Sequence, residues 1–268
     1  MEAIGHLDRR RLSGLRGVFT DIDDTVSTHG KITAEAYRAL WDLHDAGLHI
    51  VVVTGRPAGW CDHIARFWPV DAVVGENGGF YFRHNGHGLQ RRFLYDAAQR
   101  AEFRRRLEAV RERILAEVPG CGIASDQPYR EYDLAIDFCE DVPPLPRAQV
   151  IRIKALFEEA GAHAKISSIH VNGWYGDFDK LTTARLCARE CFEIDLDVDK
   201  EAFAFCGDSP NDEPLFGFFP ISFAMANFRA FADLVDAKPA YIADEPCGAG
   251  FCQVARCILE TRRTHGGP

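Results

Sequence analysis

Short apolar runs, each followed by a polar loop and then a helix-patterned stretch, recur along this chain and leave few folds open to it. Gly17-Val18-Phe19-Thr20 leads straight into Asp21-Ile22-Asp23-Asp24-Thr25. Thr33 then offers a helix N-cap, Ala36, Leu40 and Leu43 form an apolar stripe, and Gly47 closes it. His49-Ile50-Val51-Val52-Val53 ends at Thr54-Gly55-Arg56-Pro57, and Asp71-Ala72-Val73-Val74 ends at Gly75-Glu76-Asn77-Gly78-Gly79. Runs this apolar belong in strands covered on both faces, and intervening helices cover a parallel sheet in that way. The predicted class is α/β.

Near residue 82 the texture changes. A helix over about 97–118 carries Phe103, Leu107, Val110 and Ile114 at helical spacing. Residues 131–138 alternate like a half-exposed antiparallel strand. After a proline-rich stretch a second helix is predicted over 150–160, and 165–171 reads as one further strand. The first pattern then resumes, with a helix opening at Asp179-Lys180, a strand at 202–205 that ends in Gly207-Asp208, and strands at 221–225 and 240–242. The predicted organisation is a core in two pieces, 1–82 and 177–268, around an inserted α/β unit at 83–176.

Four segments carry reactive groups where a parallel sheet places its functional loops. Asp21, Asp23 and Asp24 repel one another unless a cation or proton sits between them; a solvated acidic turn is the alternative, and it fits poorly directly after an apolar strand. Thr54-Gly55-Arg56 can present a hydroxyl and a backbone N–H to an anion, as any Thr-Gly turn can. Asp179 can cap a helix and leave Lys180 in its first turn, against the preference of the helix dipole. That placement suits either a nearby anion or a plain surface lysine. In Gly207-Asp208-Ser209-Pro210-Asn211-Asp212 two aspartates four apart can converge on one hard cation, and the same residues also make good turns.

In this order and spacing the four segments resemble motifs I to IV of the haloacid dehalogenase-like (HAD) superfamily of hydrolases. Motif I, DxDx[TV], is matched by Asp21, Asp23 and Thr25; motif II, a Ser or Thr ending the second strand, is matched by Thr54. Motif III, a Lys opening a helix, is matched by Lys180, and motif IV, GDxxND, by Gly207, Asp208, Asn211 and Asp212. The insertion between motifs II and III is similar to a type 2 cap, and its α/β texture to subclass IIB. The resemblance implies a Rossmann-like parallel sheet core with an inserted α/β (type C2B) cap. It also implies a Mg²⁺-dependent phosphatase for a small phosphate monoester, a sugar phosphate foremost, working through an aspartyl-phosphate.

In that scheme Asp21 is the nucleophile and Asp23 the general acid and base. Asp21, the backbone carbonyl of Asp23, Asp208 and Asp212 would hold Mg²⁺. Thr54, the Gly55 N–H and Lys180 would hold the phosphoryl oxygens, with Thr25 and Asn211 in support. Asp24 stands where many members have glycine, which bears on the shape of that loop. None of the four motifs recognises a particular alcohol, so the cap is expected to select the substrate. Arg130, His170 and Asn172 are the candidates there, beside Tyr129, Glu131 and Trp174; all six are also ordinary strand and turn residues.

Other readings stay open. The stretch from Asn172 to Lys180 is faintly similar to the approach to the lysine in phosphomannomutase, so a phosphomutase is the alternative. A non-catalytic phosphosugar-binding module would be expected to lack a motif I or IV aspartate, and none is missing. Dehalogenation is disfavoured by Asp23, which haloacid dehalogenases lack. The expected partner is a small phosphorylated molecule. A formal net charge of −9 disfavours nucleic acid. No apolar run nears the roughly 20 residues of a membrane helix, and the polar, basic first residues lack the apolar segment of a signal peptide. Nine cysteines without a CxxC pair suit a reducing, cytoplasmic setting, and Cys187 and Cys191 lack neighbours at zinc-site spacing. The oligomeric state is left open.

Overall fold

The apolar runs are covered on both faces, as their composition requires. The computed structural model describes residues 1–265. Its strands are β1 (Glu2–Ala3), β2 (Gly17–Thr20), the small hairpin β3 (Ser27–Thr28) and β4 (Lys31–Ile32), β5 (His49–Val53), β6 (Ala72–Gly75), β7 (Phe80–His84), β8 (Leu89–Phe93), β9 (Gly122–Ile123), β10 (Leu134–Asp137), β11 (His163–Ile166), β12 (His170–Trp174), β13 (Phe203–Gly207), β14 (Ile221–Ala224) and β15 (Tyr241–Ile242). Its helices are α1 (Ala34–Asp45), α2 (Ala58–Phe67), α3 (Ala97–Glu117), α4 (Arg147–Glu159), α5 (Lys180–Phe192), α6 (Leu196–Asp199), α7 (Glu213–Phe218) and α8 (Cys247–His265), with short 3₁₀ turns between.

One nine-stranded sheet runs in the order β1-β15-β14-β13-β2-β5-β6-β7-β8, parallel as far as β6 and antiparallel beyond it. Successive residues of each strand point to opposite faces, so Val18 and Ile50 pack with Leu40, Leu43 and Phe251 of α1 and α8. Phe19 and Val51 pack instead with Ala184 and Phe216 of α5 and α7. Thr33 caps α1 by accepting the Ala36 N–H (3.1 Å), as its position suggests. No helix among the described residues is long and apolar enough to cross a membrane.

The core sheet continues past the expected junction at 82/83. Phe80 and Phe82 of β7 bury against Cys61, Ile64 and Val73, which draws the β7–β8 hairpin onto the sheet edge as far as Phe93. A second sheet, β11-β12-β10-β9, is fully antiparallel. Leu134, Ile136 and Val171 on one of its faces pack against Leu107, Ile114, Ile153 and Phe157 of α3 and α4. Period-two alternation therefore puts Ala135, Asp137, His170 and Asn172 on the other face, towards the core.

Two expectations differ from what is seen. Residues 165–171 are not one strand, because Ser167 turns the chain: its N–H donates to His170 O (2.8 Å) and its Oγ accepts the His170 N–H (3.0 Å). The strand expected at 131–138 starts only at Leu134, because the N–H groups of Glu131, Tyr132 and Asp133 are taken by Glu76.

Candidate active site

Strand ends deliver the acidic centre. Asp21 leaves β2 with its N–H on Cys206 O (2.9 Å), which sets it beside the 207–212 turn that follows β13. Carboxylate oxygens of Asp21, Asp208 and Asp212 lie within 4.8 Å of one another, and all three residues are buried. Asp179 accepts the Thr182 N–H (2.7 Å) and so starts α5 at Lys180. Lys180 is itself buried, its Nζ 3.2 Å from Asp21 Oδ1 and 2.7 Å from Asp212 Oδ1. Asp212 Oδ2 accepts the N–H groups of Asp208 (2.9 Å) and Ser209 (3.3 Å), and a Cβ on Gly207 would run into that carboxylate. Asp208 is fixed by the Thr25 hydroxyl (3.3 Å) and the Asn227 amide (2.9 Å).

Burial raises the pKa values of Asp21 and Asp208, and Lys180 only partly offsets this. Burial works against the Lys180 charge too, but Asp21 and Asp212 outweigh it and hold the ammonium on. One cation among three buried carboxylates leaves surplus negative charge. Asp21 Oδ1, moreover, is buried and has no hydrogen-bond partner beyond the 3.2 Å approach of Lys180. An all-oxygen set with surplus charge fits a hard divalent cation.

Asp23 turns away from this cluster. Its carboxylate takes two bonds from Arg56, 2.9 Å from Nε and 2.8 Å from Nη2. The inserted unit grips the same guanidinium through Asp126 (3.3 Å from Nη1) and Glu140 (2.7 Å from Nη2), and the Trp60 ring lies under it at 4.5 Å. Thr54, buried at the end of β5, accepts the Arg56 N–H on Oγ1 (3.0 Å), which leaves its hydroxyl proton to donate elsewhere. Asn211 donates to Asn77 Oδ1 (3.1 Å) and so ties the 207–212 turn to the loop after β6. Asp24 adopts a φ of 52°, the left-handed conformation that glycine takes most readily and aspartate tolerates, so this loop keeps a glycine-like backbone.

The three cap candidates meet at this junction. Arg130 Nη1 donates to Gly55 O (2.9 Å) and to Asp133 (2.9 Å), Asn172 donates to Asp133 (2.8 Å), and His170 Nε2 lies 2.8 Å from Glu140. Trp174 stacks on Phe178 within the core, and Tyr129 faces outward.

Sequence reasoning missed the binding partners of these groups: Arg56, Glu76, Asp126, Glu140 and Asn227. Glu76 is fully buried directly after β6, and its carboxylate accepts the N–H groups of Ala58 (3.0 Å), Glu131 (2.9 Å), Tyr132 (2.6 Å) and Asp133 (3.3 Å). Burial and Asp133 push its pKa up against the pull of Arg130 and those N–H groups. Replacing Glu76 with Ala strands four backbone donors, two of them buried, and is expected to cost about 3–5 kcal/mol of stability. Urea unfolding measures this, and a loss under about 1 kcal/mol would mean the donors find other partners. The only signal in the sequence was a lone glutamate in a glycine-rich loop.

The model of the haloacid dehalogenase-like hydrolase family matches residues 18–101, which include β2 with its acidic loop and the Thr54 loop. Over those residues the chain is similar to the haloacid dehalogenase-like hydrolases. No curated protein matches it in sequence. Solved structures share the fold of this chain over nearly its whole length. A Thermoplasma acidophilum protein has 19% identity and a TM-score of 0.67, over 92% of this chain and 99% of its own. The sucrose-phosphatase of Synechocystis, solved with sucrose and phosphate, has 13% identity and a TM-score of 0.62, over 91% and 98%. A HAD subclass IIB sugar phosphatase has 15% identity and a TM-score of 0.61, over 90% and 98%. The chain thus shares its fold with these proteins over both the core and the inserted unit.

Proposed function

We propose that this protein is a Mg²⁺-dependent phosphatase that cleaves a small phosphate monoester, a sugar phosphate foremost, through an aspartyl-phosphate on Asp21. The observation that carries the reading is the buried Asp21–Asp208–Asp212 cluster, with Lys180 as its counter-charge among the described residues. Mg²⁺ would be held by Asp21, Asp208, Asp212 and the Asp23 carbonyl, and would supply charge neutralisation for the phosphoryl group.

Asp21 attacks phosphorus while the bond to the leaving oxygen breaks. Asp23 gives that oxygen a proton, then takes one from the water that hydrolyses the acyl phosphate. Thr54 Oγ1, the Gly55 N–H and Lys180 hold the phosphoryl oxygens, and Arg56 sets the direction of the Asp23 carboxylate. Asp21 and Lys180 are almost wholly buried, so the inserted unit acts as a lid that must lift for substrate to enter. A lid that closes over the site favours small substrates over proteins. The fold shared with sugar phosphatases supports the substrate class, and nine free cysteines support a reducing, cytoplasmic setting.

The experiment is a panel of sugar phosphates and p-nitrophenyl phosphate with Mg²⁺, and no turnover of any would reject the reading. Within it, Asp23→Asn separates proton transfer from structure. Loss of a general acid typically costs on the order of 10²–10⁴-fold, but p-nitrophenolate leaves without much help. The defect is therefore expected to be far smaller on p-nitrophenyl phosphate than on a sugar phosphate. Equal defects would mean that Asp23 serves only to pair with Arg56.

A further inference from the structure

The charges at the junction between the two sheets bear on what the leaving group can be. Arg130 has all three guanidinium nitrogens engaged: Nε (3.0 Å) and Nη2 (3.2 Å) on Asp126, Nη1 on Asp133 and Gly55 O. Arg56 is spent on Asp23, Asp126 and Glu140 in the same way. His170, even when protonated, has its Nε2 against Glu140, and Lys165, on the same face of the cap sheet, reaches Glu213 (3.5 Å). Among the described residues, no cation facing this junction from the cap is without a carboxylate partner. The acceptors, by contrast, are in excess: Asp23, Asp126, Asp133 and Glu140 share two guanidinium groups.

These carboxylates are not equivalent. The side chains of Asp126 and Asp133 are 8% and 0% exposed and locked on Arg130, whereas that of Glu140 is 25% exposed. Glu140 is also held ready. Asp137 accepts the N–H groups of Cys139 (2.9 Å), Glu140 (2.8 Å) and Asp141 (2.8 Å), which pins the loop that presents it, and His170 backs its Oε2. Burial alone would protonate it, but the bonds from His170 and Arg56 prevail and keep its pKa at about 2. It is an ionised, partly exposed acceptor on the same guanidinium that holds Asp23.

Resting on the phosphatase reading, we infer that the cap admits leaving groups that donate hydrogen bonds, neutral polyols or amine-bearing sugars, and rejects those with a second phosphate or a carboxylate, with Glu140 setting the choice. A second anion would have to displace a carboxylate from a buried ion pair and leave that charge uncompensated, whereas a hydroxyl or ammonium meets an acceptor already in place. A mutase must hold the second phosphate of a sugar bisphosphate, so the same charge arrangement also argues for hydrolysis over phosphomutase chemistry.

The test uses the full chain with Mg²⁺ and p-nitrophenyl phosphate as reporter. Glucose 6-phosphate and glucosamine 6-phosphate are compared with 6-phosphogluconate and glucose 1,6-bisphosphate, as substrates or, where not turned over, as competitive inhibitors of the reporter reaction. The neutral and amine-bearing compounds are expected to be favoured on the order of 10²-fold in kcat/KM or in inhibition constant. Glu140→Gln, of equal size but uncharged, is expected to narrow that ratio at least about tenfold, the effect of roughly one close charge. Equal use of anionic and neutral compounds by the wild type overturns the inference while leaving the phosphatase reading intact, whereas stimulation by the bisphosphate overturns the inference and favours phosphomutase chemistry. A ratio unchanged in Glu140→Gln removes Glu140 as its source. Failure to hydrolyse p-nitrophenyl phosphate and every sugar phosphate overturns both readings.

Discussion

Asp21→Asn is expected to lower turnover of any phosphate ester by on the order of 10⁴-fold or more, the scale seen when a covalent nucleophile is removed. The amide keeps the shape of the side chain but cannot form an acyl phosphate, and it is a poor ligand for a hard cation. Loss of activity should come without loss of fold. Asp21 is a buried carboxylate whose pKa is raised by burial, so neutralising it removes a desolvated charge and still leaves Lys180 paired with Asp212 at 2.7 Å. The melting temperature of the metal-free variant should therefore equal or exceed that of the metal-free wild type. Retention of a tenth of wild-type activity on p-nitrophenyl phosphate would show that the nucleophile is another residue.

Removing the metal should be as damaging. Excess chelator is expected to take activity to background, Mg²⁺ to restore it, and Ca²⁺ to restore it poorly, because its larger and looser coordination misplaces the carboxylate that attacks. A second readout is stability. At a hundred times its dissociation constant a ligand adds about 2.7 kcal/mol, which for a chain of this size raises the melting temperature by roughly 5–10 °C. The gain should depend on pH. Asp21 and Asp208 have folded pKa values above their unfolded ones, so the metal-free folded state binds more protons than the unfolded state. The stability these two groups contribute is then fully present below about pH 4 and is lost as pH rises through the raised values. Mg²⁺ competes with those same protons, so its stabilisation should be small in acid and grow towards neutrality and above. Full activity in chelator, with a melting temperature indifferent to Mg²⁺, would reject Asp208 and Asp212 as ligands.

Much of this was legible in the chain because it is local. A strand buried on both faces is apolar throughout, and β2, β5 and β13 stand where their composition put them, give or take two residues. Asp21, Thr54 and Asp208 follow those strands directly, so the topology of a parallel sheet was enough to bring them to one edge. The cap was legible as texture only. Its helices follow from 3.6-residue periodicity, while the turn at Ser167 depends on hydroxyl bonds that no hydropathy pattern encodes.

What the sequence by itself determined is therefore the set of strands, their helical cover and the identity of the groups at their ends. Tertiary structure alone decided how those groups are used. It turned Asp23 onto Arg56 rather than onto the acidic cluster, gave Asn227 to Asp208, and set Glu76 to hold the start of the cap. It also placed Glu140, 84 residues from Arg56 in the chain, on the same guanidinium. Hydropathy records only whether a side chain is buried and on which face. Which of several buried carboxylates a cation pairs with depends on distances between two separately folded sheets, and those distances exist only once the sheets have packed.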